Sequence, residues 1–132
     1  MNRQYPFASG ILWVGGSAFL VLYALPLLLF PLRWAQWFQW TIPTEVELAV
    51  YFGRCLGGLG VVITLLALHA AWQPARHQHV FKIIALVSGI MTGIHVWGAI
   101  GRTNPWPETL EIGLYALMTA LPLLALRTLR SA

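Results

Sequence analysis

The sequence predicts an all-α integral membrane protein, an up-down bundle of four transmembrane helices that forms one domain over residues 1–132. Three observations lead to this fold class. Hydrophobic residues make up 58% of the chain, charged residues make up only 9%, and long uncharged intervals recur along it. A soluble domain carries about 25% charged residues, which keep its surface polar. The composition therefore excludes both a soluble domain and a disordered chain.

The uncharged intervals mark the predicted spans. About 20 apolar residues are needed for a helix to cross a hydrocarbon core of about 30 Å. We predict spans at residues 9–30, 48–72, 81–101 and 108–127. The last uncharged interval is too short to cross alone, so the fourth helix must draw Glu111 or Arg127 to the edge of the hydrocarbon or into it. The second span places Arg54 inside the membrane.

The loop between the first two spans, from Pro31 to Thr44, is rich in aromatic residues. Trp34, Trp37 and Phe38 share one helical face, which predicts a short interfacial helix, since indole rings favour the headgroup region. The alternative is a lid over a pocket that opens outwards. Where the second span begins, Thr44 and Glu47 have the spacing of a capping box.

Basic residues are unevenly divided between the two ends of the predicted bundle. Five lie on the side that holds both termini, and two lie on the other side: Arg3, Arg76, Lys82, Arg127 and Arg130 against Arg33 and Arg102. Because basic loops are retained in the cytoplasm, we predict that both termini are cytoplasmic. The net charge of +4 is therefore a signal of topology, and no basic stripe indicates nucleic-acid binding.

Glycines are concentrated on particular faces of the second and third spans. Small residues let helices approach closely in lipid, so these positions predict helix packing: Gly53, Gly57, Gly60, Gly89 and Gly93. Packing within the bundle is the favoured interpretation. A homo-oligomer or a contact with another membrane protein is the alternative.

Ionisable residues inside the membrane are functional candidates, because a charge at mid-helix costs about 2.5–3.5 kcal/mol. Arg54, His95 and Glu111 lie at similar depth in the outer half of the predicted bundle. An ion pair between Arg54 and Glu111 is one interpretation. The others are an Arg54 that extends to the headgroups and a site for a ligand, a proton or catalysis.

Further polar residues join this candidate cluster. Glu47 lies two turns above Arg54 on the same helical face. A local match of residues 43–51 to residues 107–115 aligns Glu47 with Glu111 and Tyr51 with Tyr115. The predicted ligand-binding or buried polar cluster is therefore Arg54, His95, Glu111, Glu47, Tyr51 and Tyr115.

The usual catalytic and cofactor signatures do not occur in the sequence. It has no glycine-rich phosphate loop, nucleophile elbow or HExxH motif, so we predict no catalytic residue and no metal site. Haem held by two histidines needs them at equal depth, whereas His69 and His95 lie near opposite ends of their spans. His77 and His79 belong to a solvated loop. The cofactor, if any, is left unspecified.

Two short stretches carry a resemblance to known proteins. At Tyr51-Phe-Gly-Arg-Cys-Leu-Gly-Gly-Leu-Gly60 and Pro105-Trp-Pro-Glu108, and in its four-span layout, the chain resembles the BphX-like and DoxX-like groups of small bacterial four-helix membrane proteins. The resemblance implies a multi-pass protein of the bacterial inner membrane. Members of these groups largely lack an assigned activity, and some related proteins are accessory components of membrane oxidoreductases. No functional residue is carried over.

We expect from these observations a non-enzymatic membrane protein that binds a lipophilic molecule, such as a lipid or a quinone, or acts as an accessory protein to a membrane partner. One alternative is a membrane enzyme or proton-coupled transporter that uses His95, Glu111 and Arg54 as acid, base and anchor. The other alternative is a structural subunit of a larger membrane complex, which the glycine faces favour.

Overall fold

The computed structural model describes residues 3–130, except for the side chain of Arg130. This part of the chain is helical and contains no strand. Its helices are α1 (Pro6–Leu29), α2 (Pro31–Trp37), α3 (Glu47–Ala70), α4 (Gln78–Ile100) and α5 (Trp106–Arg130). All except the short α2 are long and apolar enough to span a membrane, as the sequence predicts. Their bounds lie close to the predicted spans.

Many large apolar side chains lie on the surface of the bundle, and α3 illustrates this clearly. Its buried face consists of small residues, among them Gly57 and Ala67, whereas Leu56 and Leu59 are 60% and 62% exposed. A soluble monomer rarely exposes such a continuous apolar surface. Small residues between helices and large apolar residues outside are the arrangement expected of helices packed in lipid.

The first helix is not regular along its whole length. Residues Leu20–Ala24 form a π-helical turn, which directly precedes Pro26. Proline has no backbone N–H and its ring collides with the carbonyl four residues earlier, so the helix must change its hydrogen bonding there. Single π-helical turns occur often at functional sites. This turn contains Tyr23, which contributes to the site described below.

Glycines of α3 let α1 approach its backbone closely. A Cβ atom added to Gly57 would lie only 2.7 Å from Cα of Leu28, and one added to Gly60 would lie 3.1 Å from Cβ of Ala24. Gly53 similarly faces the start of α2. These three glycines therefore lie in the interior, at the contacts of α3 with α1 and α2.

The glycines of α4 lie in a different environment. Gly89 faces α5, where an added Cβ would lie 3.7 Å from Cγ2 of Thr119. Gly93 is exposed, and an added Cβ would have no neighbour within 4 Å. The interpretation of Gly93 as a packing residue within the bundle is therefore corrected. Gly93 follows Gly89 by four residues, which is slightly more than one helical turn. Gly93 therefore lies further round the helix, away from α5.

The apolar cluster and the buried ionisable residues occupy opposite ends of the bundle. The apolar cluster lies at the end that holds the termini and includes Leu12, Phe81 and Leu126. The buried ionisable residues lie at the other end, near the turn between α4 and α5. There, α3 begins at Glu47 after Val46, without a side-chain cap, so the capping box predicted at Thr44 is wrong.

Candidate functional site

Three buried ionisable side chains from α4 and α5 converge near the turn that joins these two helices. His95 Nε2 lies 2.9 Å from Glu108 Oε2 and 3.6 Å from Glu111 Oε2. The three residues are 5%, 6% and 6% exposed. Glu108 and Glu111 are three positions apart, which places both on one face of α5. We call these three residues the His–Glu–Glu centre.

The turn between α4 and α5 brings the centre together. Thr103 N–H donates to the carbonyl of Gly98 at 2.9 Å, and the side-chain amide of Asn104 donates to the carbonyl of His95 at 3.3 Å. Asn104 lies so close to Gly98 that an added Cβ would collide with its side chain. The turn thus folds back on the last turn of α4, and this places Glu108 beside His95.

Each carboxylate of the centre has one oxygen held by a neutral donor from elsewhere in the chain. The hydroxyl of Tyr23 donates to Glu111 Oε1 at 2.8 Å. The indole N–H of Trp40 donates to Glu108 Oε1, also at 2.8 Å. The second oxygen of each carboxylate, Oε2, is the one that approaches His95. The orientation of both carboxylates is therefore fixed from outside the centre.

The imidazole of His95 is fixed in the same way. Its Nδ1 lies 2.8 Å from the carbonyl oxygen of Met91, one turn earlier on α4. A carbonyl oxygen can only accept a hydrogen bond, so Nδ1 carries a hydrogen and donates it. If the ring is neutral, Nε2 then presents its lone pair to the two carboxylates. His95 also packs on Tyr115, with ring centroids 4.8 Å apart.

The aromatic segment between α1 and α3 packs over the same end of the bundle. Trp34 and Phe38 stack with ring centroids 4.4 Å apart, and they lie 6.0 and 5.7 Å from the ring of Tyr23. Trp40 reaches Glu108, as described above. The segment therefore contacts the His–Glu–Glu centre through Trp40 and through the ring of Tyr23. The short α2 helix exists, while its position at a membrane interface stays a prediction.

The structure divides the predicted polar cluster into two groups. His95, Glu111 and Tyr115 are buried and lie together. Arg54, Glu47 and Tyr51 are exposed on α3. Within residues 3–130, no ion pair joins Arg54 to Glu111, because the Arg54 side chain points away from the interior and Glu111 is bonded to Tyr23 instead.

Three residues of the site were not predicted: Glu108, Tyr23 and Trp40. The sequence signal for Glu108 is its three-residue spacing from Glu111, but an acidic residue in the first turn of a helix is equally explained by the helix dipole. Tyr23 and Trp40 carry no comparable signal, because Trp40 lies in an aromatic-rich segment and Tyr23 is a single tyrosine in an aliphatic span.

The charges of the centre restrict what it can contain. Two ionised carboxylates beside a neutral imidazole carry two negative charges, which is very costly away from water. Two protons or one divalent cation would neutralise them.

The separations within the centre also fit a single metal ion. Two ligand atoms that each lie about 2.1 Å from the same ion are about 3.0 Å apart if the ligand–metal–ligand angle is a right angle, and about 3.4 Å apart if it is tetrahedral. The observed separations of 2.9 and 3.6 Å lie near these values, and all three ligand atoms lie within 4.8 Å of one another.

Comparison of the chain with protein-family models, with curated proteins and with solved structures found no match. The resemblance to the BphX-like and DoxX-like groups therefore stays a prediction. What the protein does has to be argued from the His–Glu–Glu centre and its surroundings.

Proposed function

We propose that this chain is a multi-pass membrane protein that binds a divalent transition-metal cation at the His–Glu–Glu centre, as a binding or accessory protein without catalysis of its own. The observation that carries the proposal is the convergence of one lone pair and two carboxylate oxygens, with the remaining polar atom of each group already bonded. His95 Nδ1 is bonded to Met91, Glu111 Oε1 to Tyr23 and Glu108 Oε1 to Trp40.

Such outer hydrogen bonds are typical of metal centres. A histidine that ligates a metal almost always donates its other N–H to a carbonyl or a carboxylate, which fixes the ring and its tautomer, and ligating carboxylates are in turn hydrogen-bonded. His95, Glu108 and Glu111 have this arrangement. Bound as a neutral imidazole and two carboxylates, they would balance the charge of a divalent ion.

The donor set favours a particular class of ion. One imidazole nitrogen with carboxylate oxygens suits Zn²⁺, Fe²⁺ or Mn²⁺. Mg²⁺ and Ca²⁺ favour sites made of oxygen alone, and Cu⁺ favours sulfur ligands. Three protein ligands leave at least one coordination position open for water or a small ligand.

A centre that holds two protons is the competing proposal, and it underlies the transporter or enzyme alternative. The 2.9 Å separation of His95 Nε2 from Glu108 Oε2 favours it, because a shared proton would produce the same distance. Arg54 is not available as the anchor of such a site, since it is exposed on α3.

A lipid or quinone in the interior has less support from the geometry. Two cavities of about 190 and 210 Å³ are open grooves, and neither is lined by a residue of the centre. Pockets for drug-sized ligands have about 300–1,000 Å³. A structural role in a larger membrane complex, localisation to the inner membrane and cytoplasmic termini also remain proposals.

Metal binding to the purified protein in mild detergent tests the main proposal. After treatment with a chelator, the protein is titrated with Co²⁺, whose visible absorption reports nitrogen and oxygen ligands, and the bound metal is counted by mass spectrometry. We expect one ion per chain in the wild type. His95→Gln and Glu111→Gln should lose it. His79→Gln and Glu47→Gln are matched controls, because they remove an exposed histidine and an exposed glutamate, and they should retain it.

The variants also separate the possible failures. A folded wild type that binds neither Co²⁺, Zn²⁺ nor Mn²⁺ would overturn the proposal in favour of the protonated centre. Equal binding by all four variants would place the ion elsewhere and would overturn it as well. Thermal unfolding of each variant shows whether a loss of metal reflects a loss of the fold.

A further inference from the structure

An open groove on the lipid-facing side of the bundle lies between the start of α2 and the first turns of α3. Its volume is about 190 Å³, and its lining residues are Phe30, Pro31, Leu32, Arg33, Val50 and Arg54. The lining is apolar except for two arginines, and it contains no acidic side chain. The groove is distinct from the His–Glu–Glu centre, none of whose residues line it.

Arg54 is unusual among the residues of the membrane spans. It lies seven residues after the start of α3, which corresponds to about 10 Å along the helix axis. On the same helical face, Val50 and Tyr51 lie about one turn earlier, and Glu47 lies two turns earlier, at the start of α3. Within residues 3–130 it forms no ion pair. A charge at this depth is costly unless it reaches the headgroups or meets an anion.

Arg33 is a second basic residue, on the opposite wall of the same groove. It is exposed, and like Arg54 it has no ion-pair partner in the described part of the chain. Planar guanidinium groups bind phosphate oxygens through paired N–H donors. Phe30, Leu32 and Val50 supply apolar surface between and beside the two cations.

We infer that this groove binds an anionic phospholipid, with its headgroup phosphate between Arg33 and Arg54 and an acyl chain against the apolar wall. Charge complementarity favours this occupant, because a zwitterionic lipid such as phosphatidylcholine presents its own cation beside the phosphate, whereas an anionic lipid such as phosphatidylglycerol does not. The inference is independent of metal binding at the His–Glu–Glu centre.

Lipid retention in nanodiscs tests the inference. The full-length protein is reconstituted in equal amounts of phosphatidylglycerol and phosphatidylcholine, and the lipids that remain bound after release are counted by native mass spectrometry. A basic residue that contacts an anionic headgroup contributes a factor of about five to binding of the lipid. We therefore expect retention of phosphatidylglycerol to fall about fivefold in Arg33→Gln or Arg54→Gln and about 25-fold in the double variant.

Arg102→Gln is the matched control, because it removes an exposed arginine from the same end of the bundle but outside the groove. It should retain phosphatidylglycerol like the wild type. The double variant Arg33→Lys with Arg54→Lys keeps both charges, and it should retain more of the lipid than the glutamine pair. Thermal unfolding of each variant confirms that the fold is kept, and the lysine pair provides the test if the glutamine pair does not fold.

Several outcomes would overturn the inference. The first is equal retention of the two lipids by the wild type. The second is a loss in Arg102→Gln as large as that in Arg54→Gln, which would indicate a general effect of charge. The third is stabilisation by free phosphate. If inorganic phosphate stabilises the protein in phosphatidylcholine nanodiscs as much as inclusion of phosphatidylglycerol does, the ligand is a phosphate ion and the proposal of a bound lipid is wrong.

Discussion

His95 and Glu108 face each other across the α4–α5 turn with Nε2 and Oε2 only 2.9 Å apart. Because Nδ1 of the same ring donates to the Met91 carbonyl, a neutral His95 directs a lone pair at the carboxylate. Two lone pairs at this distance repel each other. A proton or a metal ion must therefore stand between the two groups, and this requirement links the occupancy of the centre to pH.

Metal affinity should rise with pH. The ligands bind a metal in their deprotonated forms, so uptake of the ion releases the protons that otherwise neutralise the two carboxylates. If two protons are displaced, affinity should increase by up to about a hundredfold per pH unit, and it should fall again as the solution is acidified. Co²⁺ titrations between about pH 5 and pH 8 measure this dependence. An affinity that does not change over this range would contradict a proton-for-metal exchange at the centre.

The hydrogen bond from Tyr23 should contribute to metal affinity without touching the metal. Its hydroxyl holds Glu111 Oε1 at 2.8 Å and so fixes the direction of Oε2. Removing such an outer partner typically lowers metal affinity by about 10–100-fold. We expect this loss in Tyr23→Phe, measured by competition with a chelator. Tyr51→Phe is the control, because it removes an exposed hydroxyl from α3 and should leave the affinity unchanged. Unchanged affinity in both variants would show that Tyr23 does not orient the ligand.

The sequence predicted the four long helices well, because lipid imposes their length and excludes charges from them. It also predicted that the fourth helix draws Glu111 or Arg127 to the edge of the hydrocarbon or into it, since the fourth uncharged interval is too short to cross alone. Glu111 is buried within the bundle on α5, and its depth in a membrane stays a prediction. This part of the prediction depended only on distance along the helix axis.

The partner of Glu111 could not be predicted in the same way. Depth and opposite charge suggested Arg54, but neither of them fixes how a helix is rotated about its own axis. The glycines of α3 determine that rotation: they turn towards α1, and Arg54 then faces outwards. Tyr23 reaches Glu111 from a π-helical turn, which has no clear signature in the sequence.

Substitution of two glycines should separate interior positions from surface positions. In Gly57→Ala the new methyl group would collide with the backbone of Leu28, which cannot move without displacing α1. Overpacking of this kind costs about 1–3 kcal/mol. We expect a lower thermal unfolding midpoint in detergent.

Gly93→Ala is the matched control for this prediction. Its methyl group would have no neighbour within 4 Å, and alanine favours a helix more than glycine does, so the midpoint should stay the same or rise. A clear drop in Gly93→Ala alone would indicate that this face of α4 is covered in the native protein. An unchanged midpoint in Gly57→Ala would contradict the close contact of α1 with α3.

The orientation of the bundle in the membrane can be measured by cysteine labelling. The basic residues predict cytoplasmic termini, which would place the aromatic segment and the His–Glu–Glu centre on the outer side. Gln36 on α2 and His79 on α4 are both exposed and lie at opposite ends of the bundle. In a Cys55→Ser background, Gln36→Cys should react with an impermeant maleimide added to intact cells, and His79→Cys should react only after the membrane is opened. The reverse pattern would invert the topology, and the metal centre would then face the cytoplasm.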